Sequence, residues 1–275
     1  MSLGEAPNGG AMDLGISDKI AVVSGSTSGI GFAIAATLAA EGARVVLNGR
    51  TDQRVHLAIE KIRKQKVGVD VRGVAADLGT AAGVEDFLEQ VPEADILINN
   101  LGIFEPKPFG QISDADWLRF FEVNVLSGVR LSRAYLPGML QKNWGRVIFI
   151  SSESAQNTPP EMIHYGMTKT AQVAIARGLA ESVAGTGVTI NSVLPGPTAS
   201  EGVNVFVEQM AQQQGISVAE QEKQFFATVR PSSLLKRFET PEEIAAVVAF
   251  VASKQAVTMN GAAVRAEGGV GRSIF

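Results

Sequence analysis

Ile20-Ala21-Val22-Val23-Ser24-Gly25-Ser26-Thr27-Ser28-Gly29-Ile30-Gly31 is the stretch on which the fold turns. Its opening run is apolar and mostly β-branched, the mark of a buried strand. The glycines behind it permit a tight turn and let backbone N–H groups approach a pyrophosphate at a helix N-terminus. The helix itself reads from Gly29 to Ala40. The spacing is G-x-x-x-G-x-G rather than the G-x-G-x-x-G of many dinucleotide folds. By itself such a cluster is only a turn; its place between a strand and a helix gives it meaning.

Outward from this unit the same rhythm repeats. Strands are expected at Arg44–Asn48, Val69–Ala75, Ile96–Asn99, Arg146–Ile150, Val188–Leu194 and Ala262–Ala266. Helical stretches lie between them at Thr51–Lys66, Ala81–Gln90, Asp114–Gln141, Met162–Ala184 and Pro241–Ser253. Continuous apolar strands alternating with helices imply an α/β fold, a doubly wound parallel sheet of about seven strands with helices on both faces. The polar, Gln- and Glu-rich stretch 198–239 breaks the rhythm directly after a strand, which suggests a helical lid over the crevice where such folds bind ligands. Its Phe206, Phe225 and Phe226 would either cover an apolar substrate or form the lid's own small core. Residues 1–16, rich in glycine and small polar types, read as a disordered lead, leaving 17–275 as one domain.

Composition sets outer bounds. The 275 residues carry a formal net charge of -4, so no basic surface invites nucleic acid. No cysteine is present, which removes disulfides, thiolate metal sites and thiol catalysis together. No metal is expected. No apolar run is long enough to span a bilayer and no signal pattern opens the chain, so a cytoplasmic setting is expected.

The second strand ends Leu47-Asn48-Gly49-Arg50. A carboxylate near this point would bind the ribose 2′-hydroxyl of NAD, but glycine stands there and arginine follows. A guanidinium suits a 2′-phosphate, which favours NADP over NAD. Asp52 reads as a cap for the next helix.

Tyr165 and Lys169 stand four residues apart, on one helix face. A free phenol has a pKa near ~10, and an ammonium one turn away would lower it towards the range useful for proton exchange. Thirteen residues before Tyr165 the fifth strand ends in Ser151-Ser152-Glu153-Ser154, and the fourth closes with Asn99-Asn100-Leu101-Gly102. Asn124 is an unusual amide inside an amphipathic helix. His164, turned about 100° from Tyr165 along the helix, is expected on the pocket wall or the surface.

Together these residues resemble the short-chain dehydrogenase/reductase family, in its compact one-domain branch with 3-oxoacyl-carrier-protein-reductase-like members. The resemblance runs from about Asp18 to the C-terminal region. Ser24–Gly31 matches the family's Thr-Gly-x-x-x-Gly-x-Gly with Ser for Thr, and Asn99–Gly102 its Asn-Asn-Ala-Gly with Leu101 for Ala. The resemblance implies a Rossmann fold and a catalytic set of Asn124, Ser152, Tyr165 and Lys169. The family's Ser–Tyr spacing of thirteen selects Ser152 from its neighbours. It implies cofactor contacts at Gly25, Ser26, Ser28, Gly29, Ile30, Gly31, Arg50, Asp77, Leu78, Asn99, Gly102, Tyr165, Lys169, Pro195, Gly196 and Thr198 (or Ser200). In this reading Asp77 and Leu78 lie against the adenine, and Asn124 fixes a water that reconnects Lys169 to solvent.

The implied function is NADP-dependent interconversion of a carbonyl and a secondary alcohol, as a ketone or 3-oxoacyl thioester reductase. An NAD-dependent dehydrogenase of a sugar, steroid or other alcohol is the second reading. A nucleotide-sensing protein without catalysis is a third. A small-molecule substrate and a homotetramer or dimer are the partners such a family implies.

Overall fold

Ala21, Val22 and Val23 are wholly buried, so the run Ile20–Val23 lies as a central strand, β1. Around it the chain forms β2 (Arg44–Gly49), β3 (Val71–Ala75), β4 (Ile96–Asn99), β5 (Gly145–Ile150), β6 (Val188–Pro195) and β7 (Ala263–Ala266). They make one seven-stranded sheet in the order β3-β2-β1-β4-β5-β6-β7, with every neighbouring pair parallel. The structure is a computed structural model and describes residues 12–274.

Strand side chains alternate in direction, and the two cores follow that alternation. Val23, Val45, Leu47, Ile98 and Ile148 face α1 (Gly29–Ala40) and α9 (Pro241–Ala252). Val22, Val46, Leu97, Val147 and Phe149 face the other layer. There they meet α3 (Ala81–Gln90), α5 (Ser127–Gln141) and α6 (Ile163–Ser182), while α2 (Asp52–Gln65) covers the first face. The sheet is therefore covered on both sides, as parallel sheets require.

The chain reverses its direction of winding between β1 and β4. In an open α/β sheet, ligands bind in the crevice beyond the carboxyl ends of strands at such a switch point. The glycine loop follows β1 and Asn99–Gly102 follows β4, so both motifs open onto that crevice.

Three expectations are corrected. The 1–16 lead includes Ile16, which is 1% exposed within the core, and Leu14, which packs against it; residues 1–11 lie outside the described ones. The side chains of Leu14 and Ile16 cover the α1–α9 layer, a role that composition alone conceals. The helix expected at Asp114–Gln141 is α4 (Asp114–Phe121), a π turn (Glu122–Leu126) and then α5. A π turn keeps the chain helical and has no residue type of its own to mark it, so the sequence reads as one continuous helix. Finally, α2 is capped by the Thr51 hydroxyl, which accepts from Arg54 N–H, and Asp52 lies in the first turn instead.

The 198–239 stretch forms α7 (Glu201–Gln214) and α8 (Val218–Thr228). Its two ends are bridged, with Ala199 N–H donating to the Glu239 carbonyl at 2.8 Å and Glu239 N–H to the Pro197 carbonyl at 2.9 Å. Among the described residues no helix is long and apolar enough to cross a membrane.

Candidate active site

The glycine loop is fixed from below by two polar side chains. Ser26 is fully buried, and its hydroxyl donates to the Val23 carbonyl at 2.7 Å and accepts from Asn48 N–H at 2.9 Å. Asn48 is buried too, accepting from Gly25 N–H and donating to the Val74 and Ala76 carbonyls. Ser26, expected at the cofactor, is thus a brace for the loop: its side chain is spent on the main chain.

Gly25 and Gly29 have φ of +60° and +56°, where glycine is favoured. At Gly31 the constraint is steric. A Cβ there would collide with the Asn100 amide and the Gly25 carbonyl. Gly31→Ala is expected to cost about 2–3 kcal/mol by overpacking, a fall in Tm of roughly 5–10 °C measurable by scanning calorimetry.

At its N-terminus α1 has Ser28 as N-cap with no side-chain cap bond, and no acidic residue in its first turn. By contrast α2, α3 (Thr80) and α9 (Thr240) are capped by hydroxyls. The first N–H groups of α1 open beside the glycines, a donor set that fits a pyrophosphate. Beyond the loop, Arg50 is exposed at the end of β2 and makes no ion pair among the described residues.

Asp77 is exposed after β3, with its Oδ1 accepting from Gly79 N–H at 3.1 Å. The cap of α3 is Thr80. Leu78 is 0% exposed and belongs to the core, so its side chain is withdrawn from the adenine position assigned to it. Asn99 is likewise buried, its amide donating to the Ser132 hydroxyl at 3.1 Å.

Two cavities meet over the carboxyl edge of the sheet. A groove of about 240 Å³ is lined by Ser28–Gly31, Gly102 and Lys169. A larger cavity of about 580 Å³ lies under the lid, lined by Ser152, Glu153, Pro195, Gly196 and Thr198 with lid residues such as Val207 and Met210. Tyr165 lines both. Phe225 and Phe238 both line the larger cavity and stack on each other, and each meets Phe226 edge-on, so these lid aromatics form a small core that also faces the cavity; the side chain of Phe206 lies outside the described ones.

Burial dominates the electrostatics. It pushes the Tyr165 phenol up to about 12, opposed by a hydrogen bond with Ser152 and assisted by the Glu153 charge. Burial also pulls Lys169 down to about 7. The expected lowering of the tyrosine by the lysine is therefore overturned here. The reason is geometric: Lys169 Nζ donates to the Ile150 carbonyl at 2.9 Å and to Gln172 Oε1 at 3.3 Å, and lies 5.5 Å from the phenol ring centre.

Asn124 sits in the π turn with its side chain fully used. Its Oδ1 accepts from Ile103 N–H at 2.7 Å, and its Nδ2 donates to the Ile103 carbonyl and the Thr168 hydroxyl, both at 3.0 Å. It pins the loop after β4 to α6. His164 is wholly buried, neither on the surface nor on the walls of the two cavities; it packs on Phe120 at 4.0 Å and Trp117 at 6.0 Å. Desolvation lowers its pKa.

Several contributing residues escaped the sequence reading. Asn48 and Gln172 are amides inside apolar stretches, and that incongruity was their only signal, while Asn100 was visible only as part of its motif. Arg230 and Glu153 form a buried pair at 2.9 Å that ties the lid to the loop bearing Ser152, a contact distant in sequence. Glu239 is also buried, its Oε2 accepting from Gly196 N–H at 3.0 Å at the foot of the lid.

Burial and the nearby Glu267 charge raise Glu239 to about 7. A carboxyl with a raised folded pKa favours the fold below its unfolded value and loses that contribution as pH rises through about 7. Glu239→Gln is therefore expected to gain Tm relative to wild type by about 3 °C between pH 5 and pH 8, read by paired melting curves.

The fold and crevice define a doubly wound, nucleotide-binding type of α/β protein. A family model described as short chain dehydrogenase matches residues 19–211. YvaG of Bacillus subtilis (strain 168), an uncharacterized oxidoreductase, is 48% identical over 96% of this chain and its own full length. The 3-oxoacyl-[acyl-carrier-protein] reductase FabG of Aquifex aeolicus is 31% identical over 94% of this chain and all of its own. The structure of L-sorbose reductase from Gluconobacter frateurii, complexed with NADPH and L-sorbose, superposes with a TM-score of 0.90 at 32% identity, covering 96% of this chain and 100% of the other. The chain belongs to the short-chain dehydrogenase/reductase family, as an oxidoreductase acting between alcohol and carbonyl groups.

Proposed function

We propose that the protein is an NADPH-dependent ketone reductase whose substrate carbonyl lies under the lid against Ser152 and Tyr165. The observation that carries this reading is Tyr165 at the junction of the two cavities, facing the groove at the glycine loop on one side and the lidded chamber on the other. When bound, the nicotinamide supplies the hydride.

The remaining steps belong to this chain. The N–H groups opening α1 hold the pyrophosphate, and Arg50 takes the 2′-phosphate. Ser152 orients the carbonyl oxygen, and Tyr165 passes its hydroxyl proton to that oxygen. Burial keeps the Tyr165 phenol protonated in the ligand-free protein, the form that donates to a carbonyl oxygen. Lys169 supports the phenol and the nicotinamide ribose. Asn124 pins the loop after β4 to α6, and its main-chain carbonyl accepts from Gln172.

For the substrate, the apolar lid side chains Val203, Val207 and Met210 support a ketone with an alkyl or acyl arm, 3-oxoacyl thioesters included. The buried Glu153–Arg230 pair on the same wall, with the likeness to L-sorbose reductase, favours as second reading a hydroxylated ketone. NADPH oxidation with ethyl acetoacetate, an acetoacetyl thioester and a ketose distinguishes them; no turnover of any of the three sinks the reductase reading. Exposed Leu118 and Phe121 on α4 and Phe250 on α9 support association of copies, which light scattering tests.

A further inference from the structure

Gln172 lies on α6 one turn beyond Lys169 and is 1% exposed. Burying a glutamine costs side-chain freedom and amide hydration, which an apolar residue would avoid. Both ends of this amide are engaged. Its Oε1 accepts from Lys169 Nζ at 3.3 Å, and its Nε2 donates to the main-chain carbonyl of Asn124 at 2.5 Å. The carbonyl belongs to the π turn, where the widened helix presses against α6. Among the described residues Lys169 has one other acceptor, the Ile150 carbonyl at the end of β5.

We propose that Gln172 is a positioning residue for the reaction: its amide holds the Lys169 ammonium beneath Tyr165 and locks it to the main chain at Asn124. β5 and α6 thereby meet at the ammonium nitrogen, and the π turn is joined to it through the Gln172 amide. The link from Lys169 to Asn124 is made by a carboxamide of the protein itself, in the place where a bridging water was expected from the sequence. An amide oxygen beside the nitrogen favours its charged form, against the burial that lowers it. The titratable group beside Lys169 is Tyr165 on its own helix, whose ring centre lies 5.5 Å from Nζ, and the Glu153 charge acts on that phenol.

The inference rests on the reductase reading, and its test separates the two. In the ligand-free protein carrying ¹³Cε-lysine, the Lys169 resonance is assigned by its loss in Lys169→Arg and titrated by NMR. Gln172→Leu is expected to lower the midpoint by about one unit, and Gln172→Glu to raise it by about one unit. The falling alkaline limb of kcat for ethyl acetoacetate reduction should move with the same signs, with KM changed less than about threefold, since Gln172 does not reach the substrate cavity. Should Gln172→Leu not fold, Gln172→Glu decides alone. Midpoints unchanged in the variants overturn the proposal whatever the activity. Shifted midpoints with no reductase activity in wild type would instead leave the contact to Lys169 standing and remove its catalytic meaning, overturning the proposal as stated.

Discussion

Tyr165→Phe is expected to lower kcat about 10³-fold, in the middle of the range for loss of a positioned general acid. The groups beside it are engaged elsewhere, and the nearby Glu153 carboxylate is paired with Arg230 at 2.9 Å. Ser152 is a weak acid; its hydroxyl accepts from Ser154 N–H at 3.1 Å. Lys169 is turned to the Ile150 carbonyl and Gln172. The substitution removes one oxygen and leaves the ring, which meets Phe104 edge-on at 6.5 Å, so packing and the glycine loop should be undisturbed. NADPH affinity, from quenching of intrinsic fluorescence, should stay within about threefold of wild type, because a single edge contact is lost. Stopped-flow single turnovers would then show the deficit in the chemical step. A variant retaining more than a tenth of wild-type kcat would remove Tyr165 from the role given to it.

Arg50→Ala is expected to weaken NADPH binding by roughly 10–100-fold while leaving NADH within about twofold, the size of a lost charge-assisted contact to phosphate. Arg50 is exposed, unpaired among the described residues and placed at the carboxyl end of β2. The reciprocal change is blocked: a Cβ at Gly49 would press on the Thr27 and Val55 methyl groups, so an acidic side chain there would displace the loop before it met a ribose. Equal loss with both cofactors would show that Arg50 serves the fold or the whole nucleotide, and would leave the NADP preference without support.

Strand alternation and the glycine loop were legible in the sequence because each rests on contacts between near neighbours. All seven strands lie within two residues of their expected ends. Tyr165 and Lys169 were legible for the same reason, as one helix turn links them. What stayed hidden depended on distance. Nothing local to Ser26 says that its hydroxyl is bound to Val23 and Asn48, or to Leu78 that the core claims it. The lysine's effect on the phenol was misjudged because its rivals, a strand-end carbonyl and a glutamine, are brought in by the tertiary fold. The lid was visible as a break in rhythm, while the Glu153–Arg230 pair joining it to the body spans 77 residues.

The bridge between residues 198 and 239 makes the intervening forty or so residues a graft with adjacent ends. For such a segment the chain entropy of closure changes only slowly with length. Shorter, longer or foreign stretches can therefore be exchanged at these two points while the sheet keeps its register. The same scaffold can then be redirected to new ketones without rebuilding the part that moves the proton.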